Sequence, residues 1–275
     1  MVASRRFLSA LHFILEIEVT PPIPSPIPGQ FVMLRLPELV DPLLPRPFSF
    51  YRVSPESRGT INSFELLIRV AGKFTVALSE TPIPSKVTLL GPLGNGFSLP
   101  SREVPVILVA GGIGIAPLRF LAEELLRRPA SRNPLTLLFG CKNSEEVVLA
   151  QEFSTLGVPV EISTEDGSVG TKGVVTALLL KYLDGSLKGI PPHIYACGPA
   201  MMLKTVSLLA NERNLHAELS VEEGMACGIG TCLGCVIQVR GADGRLTYER
   251  VCREGPVFPA SRFYHGEEFE SEEKR

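Results

Sequence analysis

Four cysteines in the C-terminal quarter of the chain have a spacing that could hold an inorganic cluster. Cys227, Cys232 and Cys235 follow the pattern C-x4-C-x2-C, and Cys252 comes later, in "VCREGPVF". This spacing is typical of a 2Fe-2S cluster, in which a tight loop carries thiolates to both irons and a distant cysteine completes the set. Structural zinc sites favour two separate short cysteine pairs, and disulfides are rare in cytosolic proteins. A 2Fe-2S cluster is therefore the favoured interpretation, with zinc and disulfides as the alternatives.

Glycines between these cysteines support the same interpretation. Gly228, Gly230 and Gly234 lie within the cysteine-rich stretch. Glycine allows the backbone to turn tightly and to point N–H groups at sulfur, which stabilises negative charge on the thiolates.

A second glycine-rich stretch, "VAGGIGIAPL" (109–118), lies between an apolar run and a helix-like pattern. Gly111, Gly112 and Gly114 would let backbone N–H groups and the helix dipole receive a dinucleotide pyrophosphate. Pro117 stands where the third glycine of G-x-G-x-x-G would be, so an ordinary tight turn is the alternative.

Two later segments, "STEDGSVG" (163–170) and "ACGPAMM" (196–202), follow predicted parallel strands. Such strand ends line one crevice, and we expect Cys197, Gly198 and Pro199 to contribute to it, although Cys197 alone would be read as a small buried residue. Glu165 and Asp166 are acidic where a 2′-phosphate would need basic residues, which favours NAD(H) over NADP(H).

Other residues give weaker signals. Arg46, in "RPFSF" (46–50), could bind a phosphate through paired hydrogen bonds, but an ordinary charge at a strand edge is the alternative. The four histidines have no metal-ligand spacing, and no serine lies in a nucleophile-elbow sequence, which disfavours a hydrolase.

The elements that must position these residues fall into three regions. Up to about residue 100, short alternating runs such as "FVMLRL" and "SFELLIRV" predict a small antiparallel barrel or sandwich. From 101 to 221, apolar runs such as "VILVAGG" alternate with helical patterns, which predicts a parallel α/β sheet. Residues 222–275 form the glycine–cysteine region and a charged tail.

Composition narrows the class of protein. The 275 residues are 45% hydrophobic and 20% charged, as in globular proteins, and the net charge of −2 gives no reason to expect a nucleic-acid partner. No stretch has the length of a transmembrane helix. His12, Glu16 and Glu18 interrupt the N-terminal apolar run, so we interpret it as a strand rather than a signal peptide, and expect a cytoplasmic protein.

The ordered set of motifs resembles the ferredoxin-NADP reductase superfamily, and more closely the electron-transfer subunits of type B dihydroorotate dehydrogenases. The matching stretches, in order, are "RPFSF", "LLIRVAGKFT", "LLGPLGNGF", "VAGGIGIAPL", "EDGSVGTKG", "YACGPAMM", "MACGIGTCLGCVIQV" and "VCREGPVF". The resemblance implies an antiparallel β-barrel FAD-binding domain (1–100), a parallel α/β NAD-binding domain (101–221) and a small C-terminal 2Fe-2S domain (222–275).

The resemblance also implies which residues bind FAD. Arg46 would face the pyrophosphate, Ser49 would lie near the reactive edge of the ring, and Cys197 near the flavin and the nicotinamide. The full implied set is Arg46, Pro47, Phe48, Ser49, Leu67, Ile68, Arg69, Gly72, Phe74 and Thr75. Two positions depart from the family pattern: Phe74 replaces a glycine of the phosphate loop, and Gly224 stands where relatives often carry arginine.

The implied activity is electron transfer between NAD(H) and a partner chain through FAD and the 2Fe-2S cluster. In this family the partner is an FMN-containing dihydroorotate dehydrogenase subunit of pyrimidine biosynthesis, in a heterotetramer of two plus two chains. One alternative is a diaphorase-type subunit of a hydrogenase, sulfite reductase or ferredoxin-NADP transhydrogenase complex. The other is a zinc-stabilised binding module that keeps a degenerate reductase fold.

Overall fold

The computed structural model describes residues 1–54, 59–127, 134–185, 191–241 and 243–263, so part of the predicted C-terminal region, including its charged tail, lies outside the described residues. The strands are β1 (Val2–Phe7), β2 (His12–Pro24), β3 (Phe31–Arg35), β4 (Arg46–Ser49), β5 (Arg52–Val53), β6 (Thr60–Arg69), β7 (Thr88–Leu93), β8 (Val106–Gly111), β9 (Leu135–Cys141), β10 (Val160–Thr164), β11 (Thr171–Lys172), β12 (His193–Cys197), β13 (His216–Ser220), β14 (Val236–Arg240), β15 (Leu246–Arg250) and β16 (Val257–Pro259). The helices are α1 (Lys73–Glu80), α2 (Ile115–Arg127), α3 (Val148–Ser154), α4 (Val175–Gly185) and α5 (Ala200–Glu212).

The strands of the first hundred residues form two antiparallel sheets, with the orders β1-β2-β6-β5 and β4-β3-β7. The described strands of this region form these two sheets and do not close into the antiparallel barrel that the resemblance implies. The run 48–53 looks like one strand in the sequence, but it divides at the buried Phe50 and Tyr51. The chain there leaves the pairing with β3 and joins β6 instead.

The next region is built on a seven-stranded sheet with the order β11-β10-β9-β8-β12-β13-β16. All neighbouring strands are parallel except β16, which runs antiparallel to β13. Every residue of β8 is buried, as expected for a strand covered on both faces. Because β16 comes from the C-terminal region, that region completes the sheet that binds dinucleotides in such folds.

The C-terminal region also contacts the first two sheets. Gly228 packs on Met33 of β3, and the Asn95 side-chain amide donates to the carbonyl oxygens of Arg253 and Glu254 at 3.1 and 3.0 Å. The C-terminal region is therefore held against the antiparallel sheets by these contacts and against the parallel sheet by β16. Within the described residues, no helix is long and apolar enough to cross a bilayer.

Helix α1 was not predicted, because its residues looked like a phosphate-binding loop. Gly72 precedes its first turn, and the Thr75 hydroxyl accepts from the backbone N–H groups of Ala71 and Gly72 at 2.9 and 3.1 Å. Phe74 is buried and stacks on Phe48, with ring centroids 6.1 Å apart. The aromatic residue that departs from the family pattern thus packs in the core as part of a regular helix.

Candidate functional site

Three adjoining cavities run from the antiparallel sheets, across the boundary between the two units, to the parallel sheet. We call them the central cavity, of about 440 Å³, the nucleotide cavity, of about 500 Å³, and the outer cavity, of about 480 Å³. The central cavity shares Pro47 and Phe48 with the outer cavity. It shares Arg69, Ile113 and Glu222 with the nucleotide cavity. The three therefore form one continuous groove, with the central cavity in the middle.

The central cavity has the walls that a flat, largely apolar ring needs. On one side lie six residues that the sequence assigned to flavin binding: Pro47, Phe48, Ser49, Leu67, Ile68 and Arg69. The opposite side is formed by the start of α2, with Ala116 and Pro117. Gly224, Met225 and Pro256 close the end that faces the cysteine-rich loop.

The outer cavity brings together residues that are far apart in the sequence. It is lined by Arg46 on one side and by Gly72, Phe74 and Thr75 at the start of α1 on the other. One guanidinium nitrogen of Arg46 donates to the carbonyl oxygen of Leu44 at 2.9 Å, which holds the side chain at the cavity. A cationic side chain beside a helix N-terminus favours an anionic group such as a pyrophosphate.

The nucleotide cavity lies at the carboxyl ends of the parallel strands. Gly111, Gly112 and Gly114 line it together with Gly198 and Pro199. A Cβ on Gly114 would stand 2.3 Å from the carbonyl oxygen of Cys197, so only glycine allows the two strand ends to approach this closely. The Cys197 thiol itself packs in the buried core, where burial raises its pKa.

The two predicted acidic specificity residues differ in their surroundings. Glu165 lines the nucleotide cavity, but Asp166 does not belong to its lining. The Asp166 carboxylate instead accepts from the backbone N–H of Ser168 at 2.9 Å and from its hydroxyl at 2.6 Å. These hydrogen bonds lower the pKa of Asp166 and tie it into the local turn.

Sequence reasoning missed Glu222, which lies where the central and nucleotide cavities meet. Its carboxyl group is accessible from the cavities, yet the surrounding protein shields it from bulk water and raises its pKa. Arg69 lines the same junction and lies 3.8 Å from Glu146 across the groove. Glu222 follows the last parallel strand, so the carboxyl-end rule could have identified it.

The four cysteines of the C-terminal region form two pairs. The Cys227 thiol neighbours Cys232, and the Cys252 thiol neighbours Cys235. Cys235 and Cys252 are buried, whereas Cys232 is exposed. The backbone N–H of Cys252 points at the Cys235 sulfur, and that of Gly234 at the Cys232 sulfur, both at 3.5 Å. Two thiol pairs inside a nest of N–H donors suit a group with two metal centres.

The electrostatics of the cysteine-rich loop also favour a thiolate at Cys227, in the pair that includes the exposed Cys232. Backbone N–H groups, that of Cys232 foremost, lower the pKa of Cys227 to about 6. Burial and the neighbouring Cys235 raise the pKa of Cys252 instead. The cysteines are free thiols. The arrangement therefore fits a 2Fe-2S cluster better than zinc or disulfides.

Comparison with known proteins agrees with this geometry. Residues 222–264 match the family "Iron-sulfur cluster binding domain of dihydroorotate dehydrogenase B", and residues 108–207 match "Oxidoreductase NAD-binding domain". Among solved structures, one described as an NADH-dependent reduced ferredoxin-NADP oxidoreductase superposes with a TM-score of 0.77 at 26% identity, covering 95% of this chain and 88% of that one. A ferredoxin reductase of carbazole 1,9a-dioxygenase, at 19% identity and a TM-score of 0.64, covers 78% of this chain and 64% of that one and shares the fold.

Two curated relatives establish the family. A dihydroorotate dehydrogenase B (NAD(+)) electron transfer subunit from Desulforamulus reducens is 39% identical over 234 residues, which are 85% of each chain. The corresponding subunit from a Geobacillus species is 38% identical over 236 residues, again 85% of each chain. The chain therefore belongs to the family of dihydroorotate dehydrogenase B electron transfer subunits.

Proposed function

We propose that this protein is the electron-transfer subunit of an NAD-dependent dihydroorotate dehydrogenase of pyrimidine biosynthesis, acting in the cytoplasm. Electrons pass between the FMN of a catalytic partner subunit and NAD through the 2Fe-2S cluster and FAD of this chain. The physiological direction is dihydroorotate oxidation with reduction of NAD⁺. The assembly has two copies of each chain.

One observation carries the proposal: the central cavity lies between the nucleotide cavity and the cysteine-rich loop. Ile113 lines both the central and the nucleotide cavity. Met225, two residues before Cys227, lines the end of the central cavity that faces the cysteine-rich loop. FAD held there would supply the conversion between two-electron exchange with NAD(H) and one-electron exchange with the cluster.

The residues that would hold each group follow from the groove. Ser49, Leu67, Ile68 and Arg69 would contact the flavin ring, with Pro47 and Phe48 continuing into the outer cavity. Arg46, Gly72, Phe74 and Thr75 would surround its pyrophosphate. NAD would bind along Gly111, Gly112, Gly114, Glu165, Gly198 and Pro199, with Cys197 positioning the strand end from behind. The cluster ligands would be Cys227, Cys232, Cys235 and Cys252.

An apolar surface beside the exposed Cys232 would receive the partner. Leu233 is 60% exposed and Tyr248 67% exposed, and they lie with Val236 around one shallow cavity. We call Ile229, Leu233, Val236, Leu246 and Tyr248 the cluster-side face. The hairpin β14–β15 is a separate two-stranded sheet, and such sheets need packing partners. Because single electrons must leave near the cluster, the FMN-containing subunit would cover this face.

The test is co-purification of the protein with its partner chain. The tagged protein would be purified anaerobically from its native cells and the eluate assayed for NAD⁺ reduction by dihydroorotate. We expect this activity, with an FMN-containing dihydroorotate dehydrogenase chain in equal amount. A hydrogenase or sulfite reductase chain in the eluate, without dihydroorotate activity, would overturn the proposal. So would a protein whose absorption spectrum lacks flavin and iron–sulfur bands.

A further inference from the structure

A cluster of ion pairs lies behind the groove, where the antiparallel sheet meets helices α2 and α3. The Arg52 guanidinium lies 3.2 Å from Glu65, 3.4 Å from Glu123 and 3.7 Å from Glu152. Arg119 lies 2.6 Å from Glu123. Glu152 also pairs with Arg6, at 3.1 Å. We call these residues the ionic cluster: Arg6, Arg52, Glu65, Arg119, Glu123 and Glu152.

The ionic cluster joins the two larger units of the fold. Its residues Arg6, Arg52 and Glu65 are on β1, β5 and β6, whereas the other three are on α2 and α3. Arg52 is the hub, because it pairs with one carboxylate of its own sheet and with two across the boundary. Outside these six residues, the Arg127 guanidinium also lies 3.9 Å from Glu123.

Arg119 strengthens the connection, because aromatic rings from both units contact it. The side chain is 2% exposed. The centre of its guanidinium lies 6.0 Å from the ring centroid of Tyr51, in the antiparallel unit, and 5.9 Å from that of Phe153, on α3. A cation held between two rings and a carboxylate tolerates little displacement of either side.

The ionic cluster shares β6 and α2 with the walls of the central cavity. Glu65 lies on the same strand as Leu67 and Ile68, which line that cavity. Arg52 follows Ser49 closely in the sequence, and Arg119 follows Pro117; both Ser49 and Pro117 line the central cavity. Ile113, just before α2, lines both cavities. A rotation of one unit against the other at the ionic cluster would therefore change the separation of the two cavities' ligands.

Charge pairs restrict such a rotation more strictly than apolar packing does. Domain boundaries within a chain are mobile by default, and apolar surfaces can slide against each other. Displacing a shielded ion pair instead leaves a desolvated charge without its partner, which carries a large free-energy penalty. Glu123 and Glu152, whose side chains are only 11% and 17% exposed, pair with Arg52 across the boundary and therefore resist a change in the angle between the two units.

We propose that Arg52, through the ionic cluster, is a positioning residue for hydride transfer between NAD(H) and FAD. This inference rests on the proposed function. The step keeps its ordinary balance: NADH gives a hydride to FAD and becomes NAD⁺, and FAD takes one further proton from water. Arg52 touches neither reactant. It sets their approach, and misplacement by about 1 Å can slow such a step about 100-fold.

The test compares Arg52→Met, which keeps side-chain length and removes the charge, with Arg52→Lys. The matched control is Arg5→Met: Arg5 donates to the carbonyl oxygens of Leu78 and Thr81 at 3.3 and 2.8 Å, entirely within the antiparallel unit. Anaerobic stopped-flow bleaching of the flavin by saturating NADH gives the hydride-transfer rate. The long-wavelength charge-transfer absorption between reduced flavin and NAD⁺ reports their stacking. Amide hydrogen exchange of the apoprotein reports opening at β5 and α2.

We expect Arg52→Met to keep full FAD content, to slow hydride transfer about tenfold or more, and to weaken the charge-transfer band. Arg52→Lys should lie between Arg52→Met and wild type, because a point charge replaces the guanidinium fork. Exchange at β5 and α2 should accelerate in Arg52→Met. Arg5→Met should lower the melting temperature but leave rate and band unchanged.

Two results would overturn the proposal: an unchanged rate and band in Arg52→Met, or equal slowing by Arg5→Met. If Arg52→Met does not fold, the double variant Arg52→Met with Glu65→Gln serves the same test, because Arg52 is the ion-pair partner of Glu65 and its loss leaves that carboxylate uncompensated. Wild-type protein reduced by NADH, but inactive with a dihydroorotate partner, would refute the proposed partner alone. Wild-type protein with bound FAD that NADH does not reduce would refute both proposals.

Discussion

Gly228 lies against Met33 so closely that a Cβ on the glycine would stand 2.5 Å from the Met33 Cγ. Met33 is paired with Pro47 across β3 and β4, and Pro47 lines the central cavity. This contact joins the cysteine-rich loop directly to the strand pair that carries the flavin motif. The separation between the loop and the central cavity therefore depends on a residue without a side chain.

Gly228→Ala should consequently disturb cluster binding. The backbone at Gly228 has φ +72°, and left-handed strain in alanine costs about 1–3 kcal/mol. Overpacking against Met33 adds about 1–3 kcal/mol more. The control is Gly244→Ala, which has φ +79° but nothing within 4 Å of its Cβ. Urea unfolding and iron content measure the difference, and equal effects of the two substitutions would exclude the Met33 contact as the cause.

Glu222 should give the apoprotein a pH-dependent stability. Shielding by the surrounding protein raises its pKa from the usual 4.5, with Arg69 and Cys197 as the groups facing it at the junction. A carboxyl group whose pKa is raised on folding stabilises the protein below its unfolded pKa, and this contribution is lost as pH rises through the folded value. The melting temperature of wild type should therefore fall, relative to Glu222→Gln, as pH rises above 4.5.

Thermal melting of both apoproteins across this range checks the prediction. Glu223→Gln removes a charge from the neighbouring residue, which also lines the central cavity, and controls for net charge. If the Glu222→Gln difference does not change with pH, Glu222 does not titrate in this range.

Glu165 should determine the choice between NADH and NADPH. Its carboxylate lines the nucleotide cavity and would repel a 2′-phosphate, whereas an arginine there could pair with it. Glu165→Arg should raise kcat/KM for NADPH relative to NADH by about tenfold or more, which corresponds to about 1.4 kcal/mol. Ferricyanide reduction with each nucleotide measures the ratio. Asp166→Asn is the control: its side chain already bonds Ser168, so we expect an unchanged ratio.

The cluster-side face should be required for partner binding but not for cofactor content. A charge placed at Leu233 or Tyr248 would be buried against the partner, so Leu233→Asp or Tyr248→Asp should weaken association by about 2 kcal/mol or more, roughly 30-fold. Isothermal titration with the catalytic subunit measures this, and flavin and iron content should stay full. Val40→Asp alters a side chain that is 80% exposed and outside this face, and should bind as wild type. Equal weakening by Val40→Asp would place the docking surface elsewhere.

Local sequence patterns predicted those parts of the molecule that depend on local chemistry. The run "VILVAGG" predicted the buried β8, and the glycines after it line the nucleotide cavity. The division of 48–53 at Phe50 and Tyr51 was not predictable, because both residues continue an apolar pattern and only pairing with two different strands separates them. Helix α1 was not predicted for a similar reason, because its stability depends on Phe74 packing in the core.

For the site, spacing alone identified all four candidate cysteine ligands, but not how they pair. Pairing depends on the return of the chain at β15, which brings Cys252 to Cys235. No sequence motif marks Glu222, Arg52 or the cluster-side face. Their importance comes from which surfaces meet in three dimensions, and this requires the fold.

The unequal exposure of the two cysteine pairs bears on how such an enzyme is assembled. One pair includes the exposed Cys232, whereas Cys235 and Cys252 are both buried. Iron bound by Cys232 would be within reach of oxidants and chelators until a partner covered this side. Early association with the catalytic chain would then protect the cluster, so the proposed docking surface would also set the lifetime of the unassembled subunit.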